Sequence, residues 1–256
     1  MHASGYHSKD PPEIEVRIPI LNQFNIFSFS IMAVKKESFR KIEQELAPSF
    51  VTLVAVSKKK PEEEIQELYD LGQRIFGENY VQEMVDKSAS LPDDISWHFI
   101  GHLQTNKVKH IAPFVALIHS VDSKKLLTEI NTQAFKNNRI INCLLQVHIA
   151  TEESKFGLDS IELDELLSDP QLADLQNISI SGFMGMASFS ADMNQVRREF
   201  KYLKSLYEKY EGAHIKNCDI CVLSMGMSND YQVAIEEGSN LVRIGSLIFG
   251  ERVDPA

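Results

Sequence analysis

The chain has 256 residues, 43% of them apolar, and 36 acidic against 26 basic residues give it a formal net charge of −10. The apolar fraction excludes a disordered chain, and no stretch approaches the roughly 20 uninterrupted apolar residues of a membrane-spanning helix. The acidic excess argues against nucleic-acid binding, because phosphate backbones are held mainly by Lys and Arg. Three cysteines are too few for a disulfide scaffold. We therefore expect a cytoplasmic protein with no nucleic-acid or membrane partner.

Residues 1–31 differ from the rest of the sequence. Acidic residues, among them Asp10 and Glu15, precede an apolar run that polar amides interrupt, which is unlike a secretory signal or a transit peptide. We expect this extension to be either a loosely attached, disordered tail or sequence upstream of a natural start at Met32. Residues 32–256 show no linker or shift in composition, and we assign them to one domain.

From residue 33 onward, short apolar runs alternate with segments of helical periodicity. The run at 51–57 is nearly continuous in apolar and β-branched residues, which predicts a strand covered on both faces. Pro61 and an acidic first turn then begin a helix. The predicted strands are 51–57, 74–77, 97–101, 115–119, 140–149, 178–186, 220–225 and 241–244. The predicted helices are 38–46, 61–72, 80–88, 106–111, 123–137, 160–167, 193–210 and 231–236.

The strict alternation of eight strands with helices predicts a parallel sheet in an α/β fold. Eight such units in this length fit a (β/α)8 TIM barrel. The alternative is a doubly wound open sheet, which usually has fewer strands, and no G-x-G-x-x-G pattern follows the first strand. We therefore expect a single-domain TIM barrel.

The active site of such a barrel lies at the carboxyl ends of its strands. Lys58 follows strand one and shares a face with the alternate valines before it. Gly226 and Ser228 follow strand seven, and Gly245 and Ser246 follow strand eight; these loops often form a phosphate site. A lysine that forms an imine beside a phosphate site suggests either a pyridoxal 5′-phosphate protein or a sugar-phosphate aldolase.

Longer motifs narrow this choice. They are VAVSK at 54–58, FGENY at 76–80, HFIGHLQTNK at 98–107, LSMGMS at 223–228 and RIGS at 243–246. Together they span about residues 36–252 and closely resemble the pyridoxal phosphate homeostasis protein family. The resemblance implies a barrel of the alanine racemase N-terminal type, pyridoxal 5′-phosphate held as a lysine imine (a Schiff base), and a role in vitamin B6 homeostasis.

The resemblance also implies a set of cofactor-binding residues: Lys58, Asn79, Met225, Ser228, Arg243, Gly245 and Ser246. In this set Lys58 carries the imine, and Arg243 faces the pyridine nitrogen and weakens the ring as an electron sink. The Ser228 hydroxyl binds the phosphate together with the backbone of Gly245 and Ser246. Asn79 lies at the edge of the cofactor, and Met225 is expected to line the pocket with Met227.

Two functions compete: a carrier or buffer of the cofactor without substantial catalysis, and an enzyme similar to an amino-acid racemase. Racemases of this fold add a second, β-rich domain that supplies a catalytic tyrosine, whereas only a short segment follows the eighth predicted strand. We therefore expect a non-catalytic carrier. Its expected partners are the cofactor and the apo-enzymes that accept it, and its expected state is a monomer or weak dimer.

Cysteines and histidines show no pattern of a metal or redox site. Cys218 and Cys221 form a single C-x-x-C at the entry to strand seven, without a second pair. The eight histidines lack metal-ligand spacing, so we expect packing cysteines and no bound metal. His102, which follows strand three, is a further candidate for a polar residue at the site.

Overall fold

The computed structural model describes residues 1–2, 34–151 and 156–250. The predicted N-terminal extension, 1–31, lies outside these described residues except for its first two. The chain divides into two units, Met1–Met32 and Ala33–Ala256. The barrel belongs to the second unit.

Eight parallel strands close into a barrel in chain order, with the first strand hydrogen-bonded to the last. The strands are β1 Thr52–Val56, β2 Ile75–Glu78, β3 Ser96–Phe99, β4 Leu117–Val121, β5 Ile141–Val147, β6 Ile178–Gly185, β7 Cys218–Met227 and β8 Leu241–Ile244. The predicted (β/α)8 barrel is therefore confirmed.

In the part of the chain that the structure describes, one helix precedes the barrel and one follows each strand. The helices are α1 Lys36–Leu46, α2 Glu62–Asp70, α3 Val81–Ser90, α4 Val108–Ile111, α5 Lys124–Lys136, α6 Ser160–Ser168, α7 Met193–Tyr210, α8 Tyr231–Glu236 and α9 Ser246–Phe249. Short 3-10 segments are Ala47–Ser49, Thr105–Lys107 and Pro170–Asp174. Within the described ranges, no helix is long and apolar enough to cross a bilayer.

The clearest difference from the predicted elements is β4, which lies two residues later than expected. The Val115 amide donates to the Ile111 carbonyl at 2.8 Å, so this valine closes the turn after α4 instead of starting the strand. The strand then continues to Val121, with a register shift against β5. Apolar character marks the run correctly, but the hydrogen bonds of the preceding helix decide where the strand begins.

The strand β1 has two covered faces, as its continuous apolar run predicted. Leu53 and Ala55 belong to the large core between the strands and the helices. Val54 points the other way, into a separate inner cluster built from strand residues: Val54, Leu117, Leu144, Met184 and Leu241. Each such buried side chain contributes about 1.5–3 kcal/mol. The inner cluster and buried polar side chains of other strands together fill the interior, so the barrel is a packed scaffold whose open space lies at one end.

Candidate functional site

A cavity of about 420 Å³ lies at the carboxyl ends of the strands. Six of the seven predicted site residues line it: Lys58, Asn79, Ser228, Arg243, Gly245 and Ser246. Phe189 also lines the cavity and is 86% exposed, so the cavity opens to solvent. Its volume is within the usual range of small-molecule and cofactor sites.

The three consecutive lysines after β1 have different environments. Lys58 is half-buried and lines the cavity with Val56, as strand alternation predicted. Lys59 is exposed and has a left-handed backbone, with φ of 59°. Lys60 also lines the cavity, but its Nζ donates to the Phe249 carbonyl at 2.7 Å and lies 3.4 Å from Glu64 Oε2. Lys60 therefore helps to tie the β1 loop to α9.

Arg243 is a buried cation on the cavity wall, only 4% exposed. Its Nη1 donates to Ser224 Oγ at 2.6 Å, and its Nη2 donates to the Gly185 carbonyl at 3.1 Å. Burial lowers its pKa to about 10, and the nearby Asp230 carboxylate opposes that shift. Arg243 consequently keeps its charge at neutral pH. A guanidinium only donates hydrogen bonds, so any ligand atom that it contacts in the cavity must be an acceptor.

Two buried histidines, His119 and His98, continue the hydrogen bond between Arg243 and Ser224 across the barrel interior. His119 Nδ1 lies 3.2 Å from Ser224 Oγ, and His119 Nε2 lies 3.0 Å from His98 Nδ1. Burial lowers the pKa of His98 to about 4 and that of His119 well below its ordinary value. Both rings are therefore neutral at physiological pH.

Arg243 favours one direction for these hydrogen bonds. Because Arg243 donates to Ser224 Oγ, the Ser224 hydroxyl proton is available for His119 Nδ1. His119 then carries its proton on Nε2 and donates it to His98 Nδ1. This array of Arg243, Ser224, His119 and His98 is not among the features predicted from the sequence. The signal was present as polar residues at inward positions of apolar strands, but nothing in the sequence pairs residues of β3, β4, β7 and β8.

The loops after β7 and β8 meet, as predicted for a phosphate site. The Gly245 amide donates to Ser228 Oγ at 3.3 Å, and Ser246 begins α9. The first N–H groups of any helix lack intrahelical acceptors. Ser228, Gly245 and Ser246 thus line the cavity together at the start of α9, and they bring two hydroxyl-bearing side chains to it. This donor set suits an anionic group such as a phosphate.

One of the two methionines at the end of β7 differs from the prediction. Between the pairs Ser224–Leu241 and Met227–Arg243, β7 has one residue more than β8, which makes a bulge with Gly226 at φ of 94°. Met225 follows the inward-facing Ser224 and by ordinary alternation lies in the core beneath the helices, where it is fully buried, whereas the extra residue turns Met227 to the cavity. The expectation that Met225 lines the pocket is thereby corrected, and the lining residue is Met227.

Asn79 supplies a further sign that the cavity accepts a ligand. Its side-chain oxygen Oδ1 is buried, has no hydrogen-bond partner among the described residues, and belongs to a residue of the cavity wall. A buried acceptor of this kind normally has a partner. With Lys58 and Arg243 in the same wall and two hydroxyls at one end, the cavity fits a small phosphorylated compound that carries an aldehyde.

The remaining candidates lie elsewhere. His102 stacks on Phe156 with ring centroids 4.3 Å apart and lies 3.5 Å from Asp122, and it is not part of the cavity wall. Cys218 and Cys221 are free thiols, and burial raises the pKa of Cys218 to about 11. Across 1–2, 34–151 and 156–250, no group of three or more His, Cys, Asp or Glu residues could hold a metal ion.

Comparison with known sequences gives consistent matches over most of the chain. The family model of the alanine racemase N-terminal domain matches residues 36–253. The pyridoxal phosphate homeostasis protein of Aquifex aeolicus is 43% identical over 201 residues, which cover 78% of this chain and 86% of the relative. The protein of the same name from Escherichia coli K12 is 39% identical over 210 residues, which cover 80% of this chain and 88% of the relative.

Solved structures give the same picture. PipY of Synechococcus elongatus with PLP bound has a TM-score of 0.75 at 35% identity, covering 84% of this chain and 99% of PipY. An alanine racemase from Bartonella henselae with covalently bound pyridoxal phosphate has a TM-score of 0.62 at 20% identity. It covers 85% of this chain and 60% of the racemase, and at that identity the likeness concerns the fold alone. The predicted barrel type is confirmed.

Proposed function

Because the chain belongs to the pyridoxal phosphate homeostasis protein family, we propose that it holds pyridoxal 5′-phosphate in the cavity at the carboxyl ends of the strands. It acts in vitamin B6 homeostasis as a carrier or buffer of that cofactor. The observation that supports this proposed function most directly is that Lys58, Arg243, Ser228 and Ser246 line one cavity.

The cavity residues divide the work of binding. When bound, the cofactor would supply an aldehyde, the group with which a primary amine condenses with loss of one water. Lys58 would provide that amine, and Ser228 with the backbone of Gly245 and Ser246 would hold the phosphate. Arg243 would direct hydrogen-bond donors to the ring nitrogen and, as a cation, would keep that nitrogen unprotonated, which weakens the ring as an electron sink.

A carrier is favoured over a racemase by the other titratable groups of the cavity wall. Lys60 Nζ donates to the Phe249 carbonyl, and Asp230 Oδ1 accepts the Met227 amide at 2.6 Å. Both side chains are thus used to hold the loops in place. A racemase requires bases on two faces of its substrate, and removal of a proton also needs an effective electron sink, which Arg243 opposes.

We also propose that apo-enzymes receive the cofactor and that the protein is a cytoplasmic monomer or weak dimer. The opening of the cavity past the exposed Phe189 supports exchange of the cofactor with solvent. The free state of all three cysteines suits a reducing compartment.

The covalent assignment is tested by borohydride trapping followed by peptide mapping. Pyridoxal 5′-phosphate should be trapped on Lys58, and Lys58→Ala should abolish both trapping and visible absorbance while the protein stays folded. Lys59→Asn is the matched control, because asparagine tolerates the left-handed backbone at this position, and it should trap normally. Trapping at Lys59 or Lys60 in place of Lys58 would contradict the assignment.

The absence of substantial catalysis is tested by incubating the loaded protein with each L- and D-amino acid in deuterated water. We expect no appreciable exchange of the α-proton and no optical inversion. The measurement is proton NMR together with chiral chromatography. Turnover at about 1 s⁻¹, which is within the usual range of enzymes, would refute the carrier proposal and favour the racemase-like alternative.

A further inference from the structure

The residues on either side of Lys58 are held by a buried ionic cluster, which consists of Glu78, Glu83 and Lys87. Glu78 ends β2, and Glu83 and Lys87 lie one turn apart on α3. Lys87 and Glu78 side chains are 5% and 0% exposed. The cluster is therefore part of the interior, immediately behind the turn that carries Lys58.

Each member of the ionic cluster forms a hydrogen bond with Ser57 or Lys59, the two neighbours of Lys58 in the chain. Lys87 Nζ donates to the Ser57 carbonyl at 2.8 Å, to Glu78 Oε1 at 2.8 Å and to Glu83 Oε1 at 2.6 Å. Ser57 Oγ donates to Glu78 Oε1 at 2.6 Å. Glu83 Oε1 also accepts the Lys59 amide at 2.5 Å. The residue before Lys58 and the residue after it are thus fixed by one ion-paired group.

The turn itself needs such support. Lys59 adopts a left-handed backbone, φ 59°, which is unfavourable for a lysine and persists only where the surroundings impose it. The Lys60 amide donates back to the Ser57 carbonyl at 3.0 Å, so the turn is tight. Burial raises the pKa of Glu78 and Lys87 opposes that shift. Buried ion pairs add little net stability because desolvation offsets their attraction, so the cluster needs another explanation.

We propose that the ionic cluster is a positioning device for Lys58. It fixes the peptide groups on both sides of this lysine, so that Nζ meets a cofactor whose phosphate is already bound at the β7 and β8 loops. Glu83 and Lys87 are positioning residues, since they act through the backbone of Ser57 and Lys59. This inference rests on the proposed function, in which Lys58 condenses with the aldehyde and releases one water.

The test uses Glu83, which is 22% exposed, so its replacement disturbs the fold less than loss of the buried Lys87. Glu83→Ala removes the acceptor of the Lys59 amide, whereas Glu83→Gln keeps an oxygen acceptor. Asp86→Ala is the matched control: Asp86 is an exposed residue of α3, and its carboxylate bonds only to Gln82 among the described residues. Circular dichroism and thermal melting verify that all variants are folded.

Three rates or affinities separate positioning from a structural effect. The first is the rate at which pyridoxal 5′-phosphate is trapped on Lys58. The second is the affinity for pyridoxine 5′-phosphate, which has the phosphate but no aldehyde. The third is reductive methylation of Lys58 by formaldehyde, which is not anchored. We expect Glu83→Ala to slow trapping of pyridoxal 5′-phosphate about tenfold or more, because small misplacements of reacting groups are costly. The affinity for pyridoxine 5′-phosphate and the rate of methylation should stay nearly unchanged.

Glu83→Gln should restore much of the trapping rate, and Asp86→Ala should match the unaltered protein. An unchanged trapping rate in Glu83→Ala would overturn this inference and leave the proposed function unaffected. Equal slowing of trapping and methylation would also overturn it, because it would indicate altered basicity of Lys58 instead of position. Failure of the unaltered protein to trap pyridoxal 5′-phosphate at Lys58 would overturn the proposed function, and the inference with it.

Discussion

Arg243 joins the cavity to the interior of the barrel. It contacts the cavity on one side and Ser224 on the other, and Ser224 leads to His119 and His98. An arginine held at two nitrogens has few alternative orientations, so its donors are aimed before a ligand arrives. This preorganisation reduces the entropy that binding must otherwise overcome. The specificity of the cavity for an acceptor atom therefore depends on residues that never reach the cavity.

Ser224→Ala tests this array. The variant removes the acceptor of Arg243 Nη1 and the donor to His119 Nδ1. Arg243 and His119 then remain buried, and each lacks its hydrogen bond to Ser224. Each hydrogen bond to a charged group is worth about 1.5–3 kcal/mol, so we expect cofactor affinity to fall about tenfold or more. In the unaltered protein, nitrogen NMR of the rings should find the protons of His98 and His119 on Nε2. A proton on Nδ1 of His119 would contradict the assigned direction.

At the scale of elements, the bulge in β7 decides which side chains reach the cavity. Met225 is already turned to the core by ordinary alternation after Ser224, and the extra residue then turns Met227 to the cavity and brings Ser228 to the β8 loop. Gly226 makes this possible, because an added Cβ would lie 2.6 Å from Ala234 Cβ and 2.9 Å from Tyr231 Cα. The space around both site glycines is filled by protein, since a Cβ on Gly245 would lie 3.1 Å from the Val56 carbonyl.

Gly226→Ala should therefore displace α8 or the bulge and weaken cofactor binding. We expect destabilisation of about 1–3 kcal/mol from backbone strain, with clash in addition, and a measurable loss of affinity in a spectroscopic titration. Gly72→Ala is the matched control, because Gly72 has φ of 110° and nothing lies within 4 Å of its added Cβ. It should lower the melting temperature and leave affinity intact. Equal affinities in the two variants would show that the bulge does not position Ser228.

At the scale of the whole molecule, the buried histidine pair links stability to pH. The folded state lowers the pKa of His98 to about 4, against about 6.5 for an unfolded histidine. Between these values the unfolded state binds more protons, so the free energy of unfolding rises with pH. The contribution of His98 is complete above pH 6.5 and is lost as the pH falls towards 4. It amounts to roughly 3 kcal/mol.

We expect the melting temperature to depend less on pH between 6.5 and 4 in His98→Asn than in the unaltered protein. Asparagine keeps an acceptor for His119 and does not titrate. Burial raises the pKa of Glu78, which favours folding at lower pH and acts in the opposite direction. The difference between the two proteins therefore isolates His98. Identical pH slopes in denaturant or thermal unfolding would contradict a depressed pKa for this residue.

Local pattern was sufficient for much of this protein. Alternating periodicity predicted the eight-stranded barrel, because each strand and helix is specified by the spacing of its own apolar residues. Strand alternation pointed Lys58 to the interior, and the glycines and serines after β7 and β8 marked the loops that meet. The longer motifs identified the family. All of these are properties of contiguous residues.

Tertiary structure alone decided the rest. Both Met225 and Met227 were expected to line the pocket, but only Met227 does, and its direction depends on a one-residue difference between β7 and β8, which is a property of the pairing and not of either strand. The array from Arg243 to His98 joins side chains of four strands, and the ionic cluster reaches Lys58 from β2 and α3. Hydrogen bonds between residues so distant in the chain depend on register and barrel closure, and the periodicity of a single segment contains no information about either.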